Sequence, residues 1–321
     1  MKKIPTLLTC AAALLVSFQA HAWTNKPVKM LVPAPAGGTM DIVARILADQ
    51  LSADIGQPVV VDNKPGAGGA IAVQAMTSAP QDGQTIMVTA SNVLTEIPHV
   101  MKTGFDPLKD IKPVATVASA TMVLVGAPNL PAKSVKELIA YAKSKPGTLS
   151  FASYSAGTSS HYAGMILNQK AGLDLQHVPF PGSPPALAQV MGGQIPIMFD
   201  GMATSLPQVK GGKLQIYGVA SKTRSTHLPQ VPTLAEEGLT DMEFGNWIGV
   251  VVSSGVANDI TDKINAAVLK AADSPKVKTR LVGAGFEPNV ALSATQLQQS
   301  VRAEFDRNAL IVKNFKIQLN Q

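Results

Sequence analysis

The side chains that could do chemistry in this chain are mostly hydroxyls, and they collect in a few short stretches. Tyr154 to His161 reads YSAGTSSH, with Ser155, Gly157, Thr158 and Ser159 ahead of a histidine. Two chemistries fit. Hydroxyls and backbone N–H groups at a helix start can hold a carboxylate. Alternatively, His161 could serve as a general base for Ser155 or Ser159. A nucleophilic serine prefers a sharp G-x-S-x-G elbow, which this chain lacks. Anion binding is therefore the better reading of the loop, and helix capping by the same hydroxyls is compatible with it.

A second stretch repeats that logic. Lys29 to Leu51 reads KMLVPAPAGGTMDIVARILADQL, a strand, a loop and a helix. Ala36, Gly37 and Gly38 have little or no side chain, so a ligand could approach their backbone. Gly38 or Thr39 would start the helix, and Asp41 lies in its first turn, where the helix dipole favours negative charge. Asp200 ends the apolar run Ile195–Phe199. Its carboxylate could accept a bond from a ligand amino or hydroxyl group, or cap the residues that follow.

Other chemistries lose support. His99, His177 and His227 are scattered and H-E-x-x-H is absent, so no metal is expected. Gly66-Ala67-Gly68-Gly69-Ala70-Ile71 fails the dinucleotide fingerprint at its last position. Gly211-Gly212-Lys213-Leu214 is not a phosphate-binding Walker loop. No cofactor is expected. The single cysteine, Cys10, falls in the leader described next, which excludes disulfides and thiol catalysis from the mature chain.

Residues 1–22 read as a signal peptide. Lys2 and Lys3 precede the apolar run Leu7–Phe18, and Ala20-His21-Ala22 matches an A-x-A cleavage site. Cleavage is expected before Trp23, with export to the periplasm. Removing Lys2 and Lys3 lowers the 27 Lys and Arg to 25 against 21 Asp and Glu, a net charge of +4. That mild balance, without a basic run carrying aromatic residues, argues against nucleic acid and suits an anionic small ligand.

The elements that must position these loops alternate in type. Strands are expected at Met30–Val32, Gln57–Asp62, Thr85–Thr89, Leu149–Ser153, Leu175–Pro179, Ile195–Phe199, Leu214–Ala220 and Phe244–Val252, with two more at Val114–Val117 and Met122–Val125. Helices are expected after most of them, including Ser134–Lys143 with Ser134 and Glu137 as a capping box. Helices at Asn258–Ala272, Pro275–Val282 and Ser293–Val312 follow, the last with an apolar stripe of Leu297, Val301, Phe305 and Leu310. Such alternation predicts βαβ units and an α/β fold. The length suits two domains, with rough boundaries at 23–122 plus 248–321 and at 123–247. In open α/β sheets ligands sit beyond the carboxyl ends of the strands, where the loops above fall.

In order along the chain, PAGGTMDIVARILADQL, VVVDNKPGAGG, FASYSAGTSSHYAG, HVPFPGSPPALAQVMGGQIPIMFD, LPQVPTLAEEGL and WIGVVVSSG resemble the Bug (Bordetella uptake gene) family of TctC-like substrate-binding proteins. The resemblance covers essentially the whole mature chain. It implies a two-lobe periplasmic binding protein of type II topology, two doubly wound sheets joined by a hinge. It further implies a site for a small organic acid, a mono- or dicarboxylate, built from Ala36, Gly37, Gly38 and Thr39 in one lobe and Ser155 to Ser159 in the other. Ser91, Gly182 and Ser183 sit where the family places further contacts, and Asp200 matches a strand-end aspartate facing the cleft.

Two departures stand out. Ala34 replaces an aromatic residue common in the first loop, and Phe180-Pro181-Gly182 lacks the lysine of a frequent Y-K-G. The implied function is capture of the acid by a monomer and delivery to the membrane subunits of a tripartite tricarboxylate transporter, without catalysis. A ligand-binding partner of a sensor system and an exported hydrolase are the alternatives.

Overall fold

The computed structural model describes residues 23–288 and 292–317; the expected signal peptide lies outside them. The first half of the chain holds β1 (Val28–Val32), α1 (Thr39–Ile55), β2 (Val59–Asn63), α2 (Ala70–Thr77), β3 (Thr85–Ala90), α3 (Ser91–Thr95), β4 (Ile111–Gly126), α4 (Val135–Lys143) and β5 (Ser150–Ser153). There follow α5 (Ser159–Ala171), β6 (Gln176–Pro179), α6 (Ser183–Met191), β7 (Ile197–Gly201), α7 (Met202–Lys210), β8 (Gln215–Val219) and β9 (Gly245–Ser253). The chain then runs through α8 (Asn258–Asp273), α9 (Pro275–Gly283), β10 (Glu287–Pro288) and α10 (Ala294–Asn314).

The strands form a mixed sheet in the order β2-β1-β3-β9-β4-β7-β5-β6, with β8 and β10 also paired to β4. β1 is parallel to β2 and β3, and β5 is parallel to β6 and β7, as βα units require. β9 and β4 depart from this: β9 runs antiparallel to both β3 and β4, and β4 runs antiparallel to β7 and β8. The two short strands expected at 114–117 and 122–125 are one 16-residue strand. No Gly, Pro, Asn or Asp interrupts Ala118–Thr121, and β9 holds that stretch through the pairs Ala120–Asn246 and Thr121–Gly245. The first part of β4 pairs with β9, and the part from Met122 onward pairs with β7 and β8. Gly249 of β9 is required by close approach, since a Cβ there would lie 2.3 Å from the Ala115 carbonyl oxygen.

The core follows the sequence periods. In β1, Val28, Met30 and Val32 are buried, and in α1 Val43, Ile46, Leu47 and Leu51 face them. Val250, Val252, Ile264 and Val268 complete that cluster. A separate cluster gathers Leu124, Phe151, Ile166, Leu167 and Phe199. Burial of side chains of this size stabilises by roughly 1.5–3 kcal/mol each before conformational entropy is charged.

Ser134 caps α4 as expected, accepting from the Glu137 N–H at 3.2 Å. Glu137 turns to the Lys133 N–H instead, so the box is not closed. The complete box is at α10, between Ser293 and Gln296.

Two local expectations change. Leu310 is 60% exposed, because the buried stripe of α10 runs through Leu297 and Val301 to Asn308, leaving Leu310 out of phase. Asn308 donates to the Thr95 carbonyl at 2.9 Å. Farther along α10 and just beyond it, Ile311 and Phe315 pack against the cluster around Phe151, so this C-terminal stretch touches residues expected in the other lobe. Helix α7 carries no capping signal and contains Pro207, so its sequence did not announce it.

Candidate functional site

A cavity of about 320 Å³ opens where the carboxyl ends of the strands meet the helix starts. The N-cap residues of α1, α3, α5, α6 and α7 all line it: Gly38, Ala90, Thr158, Gly182 and Gly201. None of the five caps its helix with a side chain. Four are glycine or alanine and have nothing to cap with. Helix starts carry partial positive charge and N–H groups that an anion can satisfy. Among the described residues, no Lys, Arg, His, Asp or Glu lines this cavity. The attraction it offers an anion therefore comes from backbone dipoles. The remaining wall is largely apolar, including Ala34, Met40, Ile97, Met101, Met122 and Phe180.

The residues singled out from the sequence divide into two groups. Gly38, Thr39, Ser155, Thr158, Gly182 and Ser183 line the cavity. Ala36, Gly37, Asp41, Ser91, Gly157, Ser159 and Asp200 do not. Ala36, Gly37 and Asp41 face a different, outer groove with Arg45 and Arg280.

Asp41 is buried there and accepts from the Gly37 N–H at 2.8 Å, from Arg45 Nε at 2.9 Å and from Asn63 Nδ2 at 2.9 Å. Burial alone would raise its pKa; the hydrogen bonds from Arg45, Gly37 and Asn63 prevail and hold it below the ordinary carboxylate range. Asn63 Nδ2 also donates to the Ala34 carbonyl at 2.9 Å. Asp41 and Asn63 thus clamp the β1–α1 loop from its outer side, which leaves Gly38 and Thr39 turned to the cavity.

The α5 loop is built the same way. Thr158 Oγ1 donates to the Ser155 carbonyl at 2.7 Å, closing the turn. The Gly157 N–H donates to His161 Nδ1 at 3.1 Å. Burial pushes His161 down to about 4, so the ring is a neutral acceptor. It stacks on His177 with centroids 3.9 Å apart, and His177 Nε2 lies 2.7 Å from Ser153 Oγ. Burial, then the neighbouring His161, pushes His177 down to about 3. His161 is therefore engaged with the loop backbone, not poised beside a serine hydroxyl.

Ser159 donates to Glu96 Oε1 at 2.5 Å and accepts from Asn246 Nδ2 at 3.0 Å. Ser91 Oγ donates to Asn246 Oδ1 at 2.9 Å. Tyr162 Oη donates to the Glu96 carbonyl at 2.9 Å. This buried network joins α3, α5 and β9, and Asn246 brings it to the cavity wall. Burial, with a smaller push from Glu304, drives Glu96 up to about 7 against the Ser159 hydrogen bonds and Arg307.

Asp200 is fully buried and accepts through Oδ2 from Thr204 Oγ1 at 2.6 Å and Ser205 Oγ at 2.8 Å, both on the first turns of α7. Burial raises its pKa, and Thr204, Ser183 and Ser205 oppose the rise. Ser183 Oγ acts on this carboxylate without meeting hydrogen-bond geometry; Ser183 Oγ and Asp200 Oδ1 are both buried and unpartnered. Asp200 therefore ties down the hydroxyls on the first turns of the helix behind it, without capping that helix.

Glu96, Asn92 and Asn246 escaped the sequence reading. Asn92 lines the cavity with its Oδ1 buried and unpartnered. Its only signal was a place after strand β3; Glu96 had the weaker one of a lone acid between Leu94 and Ile97. Nothing in the strand sequence marked Asn246. Among the described residues no group of three or more His, Cys, Asp or Glu gathers as a metal site, and no helix is long and apolar enough to cross a membrane.

Residues 43–317 match the model of the tripartite tricarboxylate transporter family receptor, TctC. BugT of Bordetella pertussis is 30% identical over 312 residues, 96% of this chain and 94% of that protein. Among solved structures, R. palustris Rpa4515 with adipate superposes with a TM-score of 0.89 at 29% identity, covering 92% of this chain and 99% of that one. MatC (Rpa3494) from Rhodopseudomonas palustris with bound malate gives 0.82 at 31%, covering 90% and 99%. The chain belongs to the TctC receptor family, with its α/β periplasmic binding protein fold.

Proposed function

We propose that this TctC-family receptor captures one small organic carboxylate in the periplasm and delivers it to the membrane subunits of a tripartite tricarboxylate transporter. The observation that carries the reading is the ring of five helix starts without side-chain caps around a cavity that, among the described residues, no charged side chain lines. An anion is the ligand that such a ring stabilises. The adipate and malate held by the two similar structures belong to the same chemical class.

The lobes would be residues 23–122 with 248–321 and residues 123–247, closing on the ligand about β4 and β9 near 121–126 and 246–250. Gly38, Thr39, Ser155, Thr158, Gly182 and Ser183 would meet the carboxylate or the atoms next to it, and Asp41, Ser91, Gly157, Ser159 and Asp200 would hold the loops in place. The mature protein would begin at Trp23 and act as a monomer. No catalysis is assigned, because the Ser159 proton goes to Glu96 and the His161 Nδ1 lone pair to the Gly157 N–H.

Titration calorimetry against a panel of mono-, di- and hydroxycarboxylates is the test. Saturable binding of at least one acid is expected, and binding of none would end the reading.

A further inference from the structure

We propose that the cavity selects monocarboxylates with an apolar, uncharged body, an alkyl chain or an aromatic ring, and discriminates against dicarboxylates. The inference rests on the anion-binding reading above and narrows it.

One part of the wall gathers helix starts. A Cβ on Gly182 would lie 2.4 Å from Pro35 Cγ, one on Gly201 2.9 Å from Thr39 Oγ1, and one on Gly38 4.0 Å from Pro184 Cδ. The beginnings of α1, α6 and α7 are thus within side-chain contact of one another and make one seat for a carboxylate. A second part is apolar. A Cβ on Gly68 would lie 2.7 Å from Ile97 Cγ2 and 3.2 Å from Met101 Sδ, and one on Gly69 would lie 2.9 Å from Val93 Cγ1. Val93, Ile97 and Met101 offer no donor and no cation.

The charge behind the wall has the wrong sign for a second carboxylate. Glu96, next to Ile97 in the chain, is buried with Oε2 unpartnered. It reaches the wall through Ser159 and Asn246. Tyr154, in the wall itself, is held protonated by burial and then by the fields of Glu96 and Asp200. Arg307 and Lys222 share a separate groove with Glu96, and neither lines the cavity. A second ionised carboxylate would be desolvated among apolar side chains, without a counter-ion and near the buried Glu96. An alkyl or aryl group in the same place gains from burial instead.

The experiment compares matched pairs by calorimetry at pH 7.5 within the wider panel: hexanoate against adipate, and benzoate against terephthalate. The expected result is that a monoacid binds at least tenfold more tightly than its diacid. A diacid that equals or exceeds its monoacid in either pair overturns the proposal and leaves carboxylate binding standing. So does a panel in which only hydroxy acids or other polar acids bind, whereas no binding of any acid removes both readings. A variant gives a second arm. Met101→Lys brings a cation to the apolar part at a half-buried position. It should shift the adipate-to-hexanoate preference at least tenfold toward adipate, and an unchanged ratio in a folded variant counts against the proposal.

Discussion

Ser159 donates a 2.5 Å hydrogen bond to the carboxyl of Glu96, a residue 63 positions earlier in the chain. The bond joins the end of α3 to the start of α5, and Asn246 of β9 closes the network by donating to the same serine oxygen. A serine expected at the ligand is thus spent on the wall behind it.

Glu96 makes stability depend on pH. Its pKa is raised to about 7, so the native state holds the proton more tightly than the unfolded chain does. The stabilisation is full below the ordinary glutamate range and is lost as pH rises through about 7. A shift of this size corresponds to something on the order of 3 kcal/mol. Between pH 5 and 7.5 the wild-type melting temperature should therefore fall relative to that of Glu96→Gln. Parallel curves for the two proteins would show that Glu96 does not titrate in that window.

The stacked histidines work in the opposite sense. His161 and His177 are pushed down to about 4 and about 3, so native stability is lost as pH falls below the ordinary histidine range. Proton NMR of the imidazole C–H signals should show two rings that stay neutral down to about pH 5. A midpoint near 6.5 for both would contradict their burial.

Gly182→Ala should weaken ligand binding at least tenfold. Its φ is +125°, which side chains avoid, and the new methyl would press on Pro35 across the cavity. Because the clash lies between two loops and outside the core, the melting temperature should change by only a few degrees. Calorimetry and a thermal melt separate the two effects.

Asp41→Ala tests the clamp behind the first loop. It leaves the Gly37 N–H without its acceptor and removes one of the two acceptors of Asn63 Nδ2, at a cost of about 1–3 kcal/mol. Affinity should drop although Asp41 does not line the cavity, and chemical denaturation should show the stability loss. Unchanged affinity would mean that the loop holds its shape unaided.

Intact mass measurement of the exported protein should give a chain starting at Trp23. That residue is tied down, with Nε1 donating to the Gly83 carbonyl at 2.8 Å. A mass that includes the apolar leader would refute the cleavage.

The alternation of β and α segments was legible because period-two and period-3.6 apolar patterns are local, and β1 with α1 shows both. Gly38, Thr39, Ser155 and Thr158 were legible for a similar reason, since helix starts after strands announce themselves in composition. Polar partners across the fold did not. From their positions Asp41 suited a helix dipole and Asp200 either a ligand or a cap, and neither local pattern showed that each accepts from side chains four or five residues on.

By itself, then, the sequence determined the α/β class, the family resemblance and the two small-residue loops that face a shared cavity. Tertiary structure alone decided that β4 runs unbroken from one set of strands to the other. It alone decided that Ser159 belongs to Glu96 and Asn246, and that none of the described charged side chains lines the cavity. The physical reason is range: periodicity and capping act over a few residues, whereas a buried hydrogen bond or the sign of a cavity's potential depends on groups brought together from the whole chain.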